Sequence, residues 1–310
     1  MGIVLGDNRY GKAETRVVRI VRDSPRHEIR DRNVSTALRG DFVDAHQTGD
    51  QAHVLPTDSQ KNTVFAYAQE HGGEAAEDYA VTVADRLLEA SPYATSAQVR
   101  VEEYTWDRIA VGGSEAGHDH SFVRRGTETR TCVVTVEGRG SYRRLHVLSG
   151  LADLTVLKST GSEFQGFLKD RYTTLAEADD RVLATSLTAW WRWRSQFSTG
   201  ATDGPDWDAS YDSVKALLLE TFATTYSRAL QETLLLMGQA VLRAHPDLAE
   251  IRFSAPNKHH FVVDLAAFGM DNPGEVFHAD DRPYGLIEAQ VRRDDVGDEA
   301  VAWRDVPGFC

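Results

Sequence analysis

Twice along the chain the apolar residues change their spacing in the same order: two alternating runs, two runs at helical spacing, then two alternating runs again. Few folds satisfy that pattern, because each alternating run buries one face of a strand and each helical stripe must lie against such a face. In the first half, residues 16–23 and 26–38 alternate on either side of Asp23-Ser24-Pro25, a suitable turn. Val64, Phe65 and Ala68 then share one side of a helix expected over 58–69, and Tyr79, Val83, Leu87 and Leu88 do so over 77–89. After Pro92, strands are expected in 99–109 and 129–137. The second half repeats the order, with strands over 145–157 and 182–193. Helical stripes follow at Val214, Leu217, Leu218 and Phe222, and at Leu230, Leu234, Met237 and Val241. Strands around His259 and over 284–292 complete it. The spacing predicts an α+β chain of two units, 1–138 and 139–310, each an antiparallel sheet with two helices on one face. No residue-level repeat links the halves; the duplication rests on element order.

Charge narrows the partners. The 310 residues carry 34 Lys plus Arg against 47 Asp plus Glu, a net charge of −13, so no extended basic face is available for nucleic acid. One or two placed arginines could still hold a small anion. With 41% hydrophobic and 26% charged residues the chain reads as soluble and globular, and no apolar run has the length that spans a bilayer. Cys132 and Cys310 are too few and too distant for a disulfide framework or a zinc site, so a reducing, cytoplasmic setting is expected. The tail Pro307-Gly308-Phe309-Cys310 is not a Ser-Lys-Leu peroxisomal address.

Several segments could carry chemistry. Over 251–265, Ile251, Phe253 and Ala255 alternate, as do Phe261, Val263 and Leu265, but Pro256 and then Asn257, Lys258, His259 and His260 interrupt them. Proline cannot donate to a sheet ladder, so a break is expected there, and four polar side chains in a half-buried strand need partners of the kind a site supplies. A basic surface loop fits that segment equally well. Gly6-Asp7-Asn8-Arg9-Tyr10-Gly11-Lys12-Ala13 has phosphate-loop spacing until Ala13, which lacks the magnesium-ligating hydroxyl, and the residues after it alternate like a strand. His118-Asp119-His120 offers good ligands but shows no third or fourth partner, which favours hydrogen-bonded loop histidines over a metal. Trp190-Trp191-Arg192-Trp193 reads as sheet packing or a subunit interface, and Gly112-Gly113-Ser114 and 198–205 as surface loops.

Tyr10-Gly11-Lys12, Arg39-Gly40-Asp41-Phe42, residues 57–63, residues 157–167, Asp180-Arg181-Val182-Leu183, residues 256–261 and Asp281-Arg282-Pro283-Tyr284-Gly285 occur in an order that resembles the urate oxidase (uricase) family nearly end to end. The resemblance implies tandem tunnelling-fold (T-fold) units assembled as a homotetrameric barrel, with active sites between subunits. It implies oxidation of urate by O2 and water to 5-hydroxyisourate and hydrogen peroxide, with no metal or organic cofactor. It places Arg181 and Gln231 as the clamp on urate, with Leu230 alongside, Phe164 as the stacking ring and Asp58 as a backbone-amide contact. Lys12, Thr57 and His259 become the catalytic set, with Asn257 beside them. A planar guanidinium suits such a clamp because it donates two parallel hydrogen bonds, which lysine cannot do. Gln231 offers both donor and acceptor, near a helix start for which Ser227 is a plausible cap. Without the resemblance, Thr57-Asp58 is an ordinary helix start, Phe164 a core ring and Gln231 a helix residue. The nearest alternatives are a zinc-dependent cyclohydrolase or a pterin aldolase of the same fold, and a silent purine-binding protein.

Overall fold

The computed structural model describes residues 2–113, 116–194 and 204–306. Its elements follow the order β1 (Tyr10–Val21), β2 (Glu28–Gly40), α1 (Val43–Gln47), α2 (Thr57–His71), α3 (Ala76–Ala90), β3 (Ala94–Tyr104), β4 (Asp107–Arg108), β5 (Phe122–Val123) and β6 (Thr129–Glu137). There follow β7 (Arg144–Lys158), β8 (Leu183–Trp193), α4 (Trp207–Thr224), α5 (Leu230–Ala244), β9 (Leu248–Val262), β10 (Phe277–Arg292) and α6 (Ala300–Trp303). This is the antiparallel, two-main-helix-per-unit order expected from the spacing, and it agrees with the tandem T-folds that the resemblance implies. Among the described residues no helix is long and apolar enough to cross a membrane.

The chain packs as two compact units. The first takes the described residues of Met1–Gly150, Arg192–Ser210 and Gly297–Val306, and the second takes Leu151–Trp191 and Tyr211–Val296. The expected boundary after residue 138 therefore differs from the observed one, which falls inside β7. The reason is that β7 is a single 15-residue strand with no turn to divide it. Strand order in the first unit is β1-β2-β3-β6 followed by the opening of β7; in the second it is the rest of β7, then β8-β9-β10.

In the first unit the register aligns Val34 with Val101 and Cys132, Thr36 with Val99 and Val134, and Leu38 with Ala97 and Val136. Residues paired in register share a face, so these rows make one surface, and Val64, Ala68, Tyr79, Val83 and Leu87 of α2 and α3 bury it. Val64, Val83 and Leu87 each contribute about 1.5–3 kcal/mol on burial. The same face carries Arg32, Glu103 and Arg130 in the next row. Arg32 Nε donates to Glu103 (2.6 Å), and Arg130 donates to Glu77 (2.8 Å) and to Asp208. Ser149 also donates to Glu77 (2.7 Å) and Arg30 to Asp208 (2.8 Å), which ties the opening of α4 to the first unit. Burial pushes the Glu77 carboxyl up, against the pull of Arg130. Burial also pushes Asp208 up, but hydrogen bonds from Arg30 and Arg130 outweigh it and hold its carboxyl below the usual range.

Three expectations change. The first strand starts at Tyr10 rather than Arg16, because two residues, Ala13 and Glu14, stand opposite Ser35 alone, a bulge that breaks the alternation. The third strand stops at Tyr104, and Asp107–Arg108 pairs separately with Phe122–Val123. Finally, β9 runs through Pro256 without a break. The irregularity lies on its partner: after Asn257 pairs with Gly285, four residues of β10, 281–284, face Lys258 before His259 pairs with Asp280.

The tryptophan run is sheet packing. Trp190, Trp191, Arg192 and Trp193 are all buried, as happens in a strand covered on both faces. In the second unit Trp191 lies 6.1 Å from Tyr211; in the first, Trp193 meets Trp207 edge-on at 4.9 Å and donates to Ser149 (3.1 Å). Gly112 and Gly113 form a turn at positive φ (63° and 77°), a conformation glycine adopts without a Cβ penalty. Ser114, residues 198–203 of the second expected loop, and Cys310 with its tail lie outside the described residues.

Candidate active site

The residues expected in the site fall on both units. Lys12, Thr57 and Asp58 belong to the first; Phe164, Arg181, Leu230, Gln231, Asn257 and His259 belong to the second.

On the first unit, Lys12 pairs with Thr36 in register. It therefore takes the helix-covered face that Thr36, Val99 and Val134 share. Thr57 is the first residue of α2. The cap position is Pro56, and no side chain caps the helix, so the threonine hydroxyl is not consumed by its own helix end. Asp58 next to it is exposed; a hydrogen bond from Lys61 (2.5 Å), with lesser help from Asn62 and from the charge of Lys12, holds its carboxyl below the usual range. At Gly11 the strands approach so closely that a Cβ would lie 1.8 Å from the Thr36 carbonyl, and only glycine fits.

On the second unit a clasp of short segments holds Phe164 and Arg181. Phe164 and Ala178 exchange backbone hydrogen bonds (2.8 and 3.1 Å), Arg181 N–H donates to the Ser162 carbonyl (2.7 Å), and Glu163 N–H donates to the Ser227 carbonyl (2.9 Å). Asp180 accepts from Thr160 (2.7 Å) and from Gly161 N–H (3.0 Å), and the first of these chiefly lowers its pKa. The Arg181 guanidinium then sits 5.1 Å above the Phe164 ring, and Phe164 stacks on Phe167 at 4.9 Å. Phe164 is half-buried, so it is not a core ring. Burial lowers the Arg181 pKa, yet its Nε is buried with no hydrogen-bond partner. An unpaired buried donor on a permanent cation is costly to leave unmade, so the site fits a planar anion that supplies acceptors.

Leu230 and Gln231 begin α5 two residues beyond Arg228, Leu230 buried and Gln231 exposed. Ser227 is not the cap. That position is Ala229, and the Ser227 hydroxyl accepts instead from Thr233 (2.8 Å), fastening the helix to the clasp. Gln231 thus stands where free N–H groups of a helix end favour an acceptor-rich ligand. Asn257 and His259 lie two apart on β9, both half-buried, with His259 stacked on Phe261 at 5.7 Å. His118 and His120 occupy a loop in which His120 N–H donates to His118 Nδ1 (3.2 Å); among the described residues no three His, Cys, Asp or Glu gather as metal donors.

Spacing alone did not point to Thr36 and Gln60, which link the Lys12 strand to the Thr57 helix: Thr36 donates to Gln60 Oε1 at 2.8 Å, both buried. The available signal was a glutamine on the apolar side of α2 beside Val64.

The fold and the clasp together define a class: a tandem T-fold protein with an arginine guanidinium seated over an aromatic ring. A family model described as Uricase matches residues 8–135 and 147–288. The uricase of Arthrobacter globiformis is 47% identical over 308 residues, spanning 99% of this chain and 96% of that one, and the uricase of Dictyostelium discoideum is 35% identical, spanning 93% and 96%. The crystal structure of the Arthrobacter globiformis uricase superposes with a TM-score of 0.89 at 46% identity, covering 98% of this chain and all of that one. The chain belongs to the uricase family.

Proposed function

We propose that this chain oxidises urate with O2 and water to 5-hydroxyisourate and hydrogen peroxide. The observation that carries the reading is the Arg181 guanidinium, its buried Nε unpaired and its Cζ 5.1 Å from the centre of the Phe164 ring. Urate is a flat anion whose oxygens and ring nitrogens could fill those donors while its ring stacks on Phe164. Gln231 would donate to and accept from the opposite edge, with Leu230 closing the side.

In the reaction one oxygen atom of water enters the ring, and both atoms of O2 leave as peroxide with the two electrons taken from urate. What the protein must supply is proton removal and placement. Lys12, Thr57 and His259 form the relay, the threonine hydroxyl passing a proton between amine and imidazole. Asn257 and Thr57 hold first O2 and then water above the ring, and the Asp58 backbone amide meets the substrate. No cofactor is part of this reading.

The assembly belongs to the same proposal: a homotetrameric barrel with sites shared between subunits. Its support is that β1 and β10, 12 and 16 residues long, end their sheets and are open to further pairing. Light scattering should give four times the 34.4 kDa chain mass. A cytoplasmic location is likewise proposed, and fractionation of the source cells tests it.

The deciding experiment mixes purified, chelator-treated protein with urate in air and follows loss of urate absorbance and growth of peroxide together. Equal consumption and production are expected. Binding without turnover would leave a silent purine-binder, and absence of binding would remove the reading altogether.

A further inference from the structure

The bulge that follows Lys12 is held by two side-chain hydroxyls, and one of them reaches the helix that carries Thr57. Between the pairs Lys12 with Thr36 and Thr15 with Val34, the two residues Ala13 and Glu14 face Ser35 alone, and Glu14 takes φ 56°. Amides at such a bulge lose their ladder partners. Here Lys12 N–H donates to Thr36 Oγ1 (3.3 Å) and Glu14 N–H to Ser35 Oγ (2.9 Å). The single Thr36 hydroxyl proton goes to Gln60 Oε1 (2.8 Å), Gln60 Nε2 donates to the Leu55 carbonyl (3.4 Å), and Leu55 N–H donates to the Tyr10 hydroxyl (2.9 Å). The chain of bonds thus leaves β1 at Lys12, passes through the opening of α2 and returns to β1 at Tyr10. Its centre is dry: Thr36 is 5% exposed and Gln60 0%.

We propose that Thr36 and Gln60 are positioning residues for the reaction, fixing the Lys12 backbone against the first turns of α2 and so setting the approach of Lys12 to Thr57. The inference rests on the reading of Lys12 and Thr57 as a proton relay. Neither residue is needed to touch urate. Both are buried beside a relay group: Thr36 on β2 stands directly opposite Lys12 of β1, and Gln60 lies on α2 three positions after Thr57. A pair of apolar side chains could fill the same space, but packing has no direction, whereas a donor–acceptor chain fixes a separation. That separation matters, since misplacing a catalytic group by about 1 Å costs on the order of 100-fold in rate.

The test compares four variants of the whole enzyme: the double variant Thr36→Val with Gln60→Leu, Thr36→Ser, Gln60→Met, and Lys12→Met. For each, urate Kd is measured without oxygen and kcat is measured against pH. The double variant should bind urate within about threefold of the parent while kcat falls about 10- to 100-fold and its pH profile is displaced, a split between binding and turnover that a general loss of structure does not produce. Thr36→Ser, which keeps the hydroxyl, should restore kcat. Should the double variant fail to assemble, Gln60→Met removes both hydrogen bonds of the Gln60 amide at similar length while leaving the Lys12 N–H bond to Thr36, and is read the same way. A kcat within about twofold of the parent with a superimposed pH profile overturns the proposal, as does a Thr36→Ser enzyme as slow as the double variant. Lys12→Met separates the two levels. If it turns over normally, the relay reading falls and takes the positioning pair with it; if it is inactive while the double variant is fast, only the pair falls.

Discussion

Replacing Arg181 with lysine keeps the charge and removes the fork, which makes it the sharpest probe of the clasp. In the structure the guanidinium lies 5.1 Å over Phe164 and presents a buried Nε with no partner, so it makes two kinds of contact available to a flat anion. A lysine ammonium delivers one point-like donor where the guanidinium delivers two parallel ones. The lost hydrogen bond to a charged acceptor is worth about 1.5–3 kcal/mol, and the weakened stacking of the cation on the ring about 0.5–1 kcal/mol. Together these come to about 2–4 kcal/mol, which at about 1.4 kcal/mol per decade predicts a urate Kd weaker by about 30- to 700-fold. Anaerobic calorimetric titration, which holds urate unreacted, measures it directly, with circular dichroism as the check on folding. Simple charge attraction predicts almost no change. A Kd within about threefold of the parent would refute the bidentate clamp.

Lys12→Met should leave urate affinity within a few-fold of the parent and lower turnover by about 100-fold or more, read by steady-state peroxide release. Asp208 titrates below the usual carboxylate range because hydrogen bonds from Arg30 and Arg130 outweigh burial. Its contribution to stability is therefore present above the unfolded-state pKa and is lost as pH falls through the folded one. Thermal melts of Asp208→Asn should show a flatter decline on the acid side than the parent; an identical acid limb would contradict the assignment. Gly11→Ala places a methyl 1.8 Å from the Thr36 carbonyl, so it should destabilise the first unit by about 3 kcal/mol or more, seen as a lowered melting temperature or loss of soluble protein.

Periodicity located the elements that bury one clean face. The expected helices over 58–69 and 77–89 appear as Thr57–His71 and Ala76–Ala90, because their apolar stripes lie on a continuous sheet surface. It missed what depends on a partner strand. Alternation predicts too short a first strand because the Ala13-Glu14 bulge puts two residues where it expects one. Pro256 predicts a break in its own strand, whereas the added residues lie opposite, at 281–284, a displacement that no single-strand pattern encodes. The site residues divide in the same way. Arg181 and Phe164 entered through the uricase-like motifs, since the clasp that holds them is built from backbone bonds between segments far apart in sequence. Thr36 and Gln60 had no such motif, because a threonine in a strand and a glutamine in a helix acquire meaning only when they face one another.

The first unit is discontinuous in sequence, and this fixes when it can be completed during synthesis. A chain that has emerged only as far as Gly150 already carries β1, β2, β3 and β6 with α2 and α3, but it lacks Trp207 and Asp208, which bond to Asp78, Arg30 and Arg130. It also lacks Asp305, the ionic partner of Arg9 and Arg39, and the Arg304 carbonyl that accepts from Gln98. Residues 10–150 thus wait for residues 207, 208, 304 and 305, and a ribosome stalled between them would display a sheet whose buried arginines still lack some of their counter-charges.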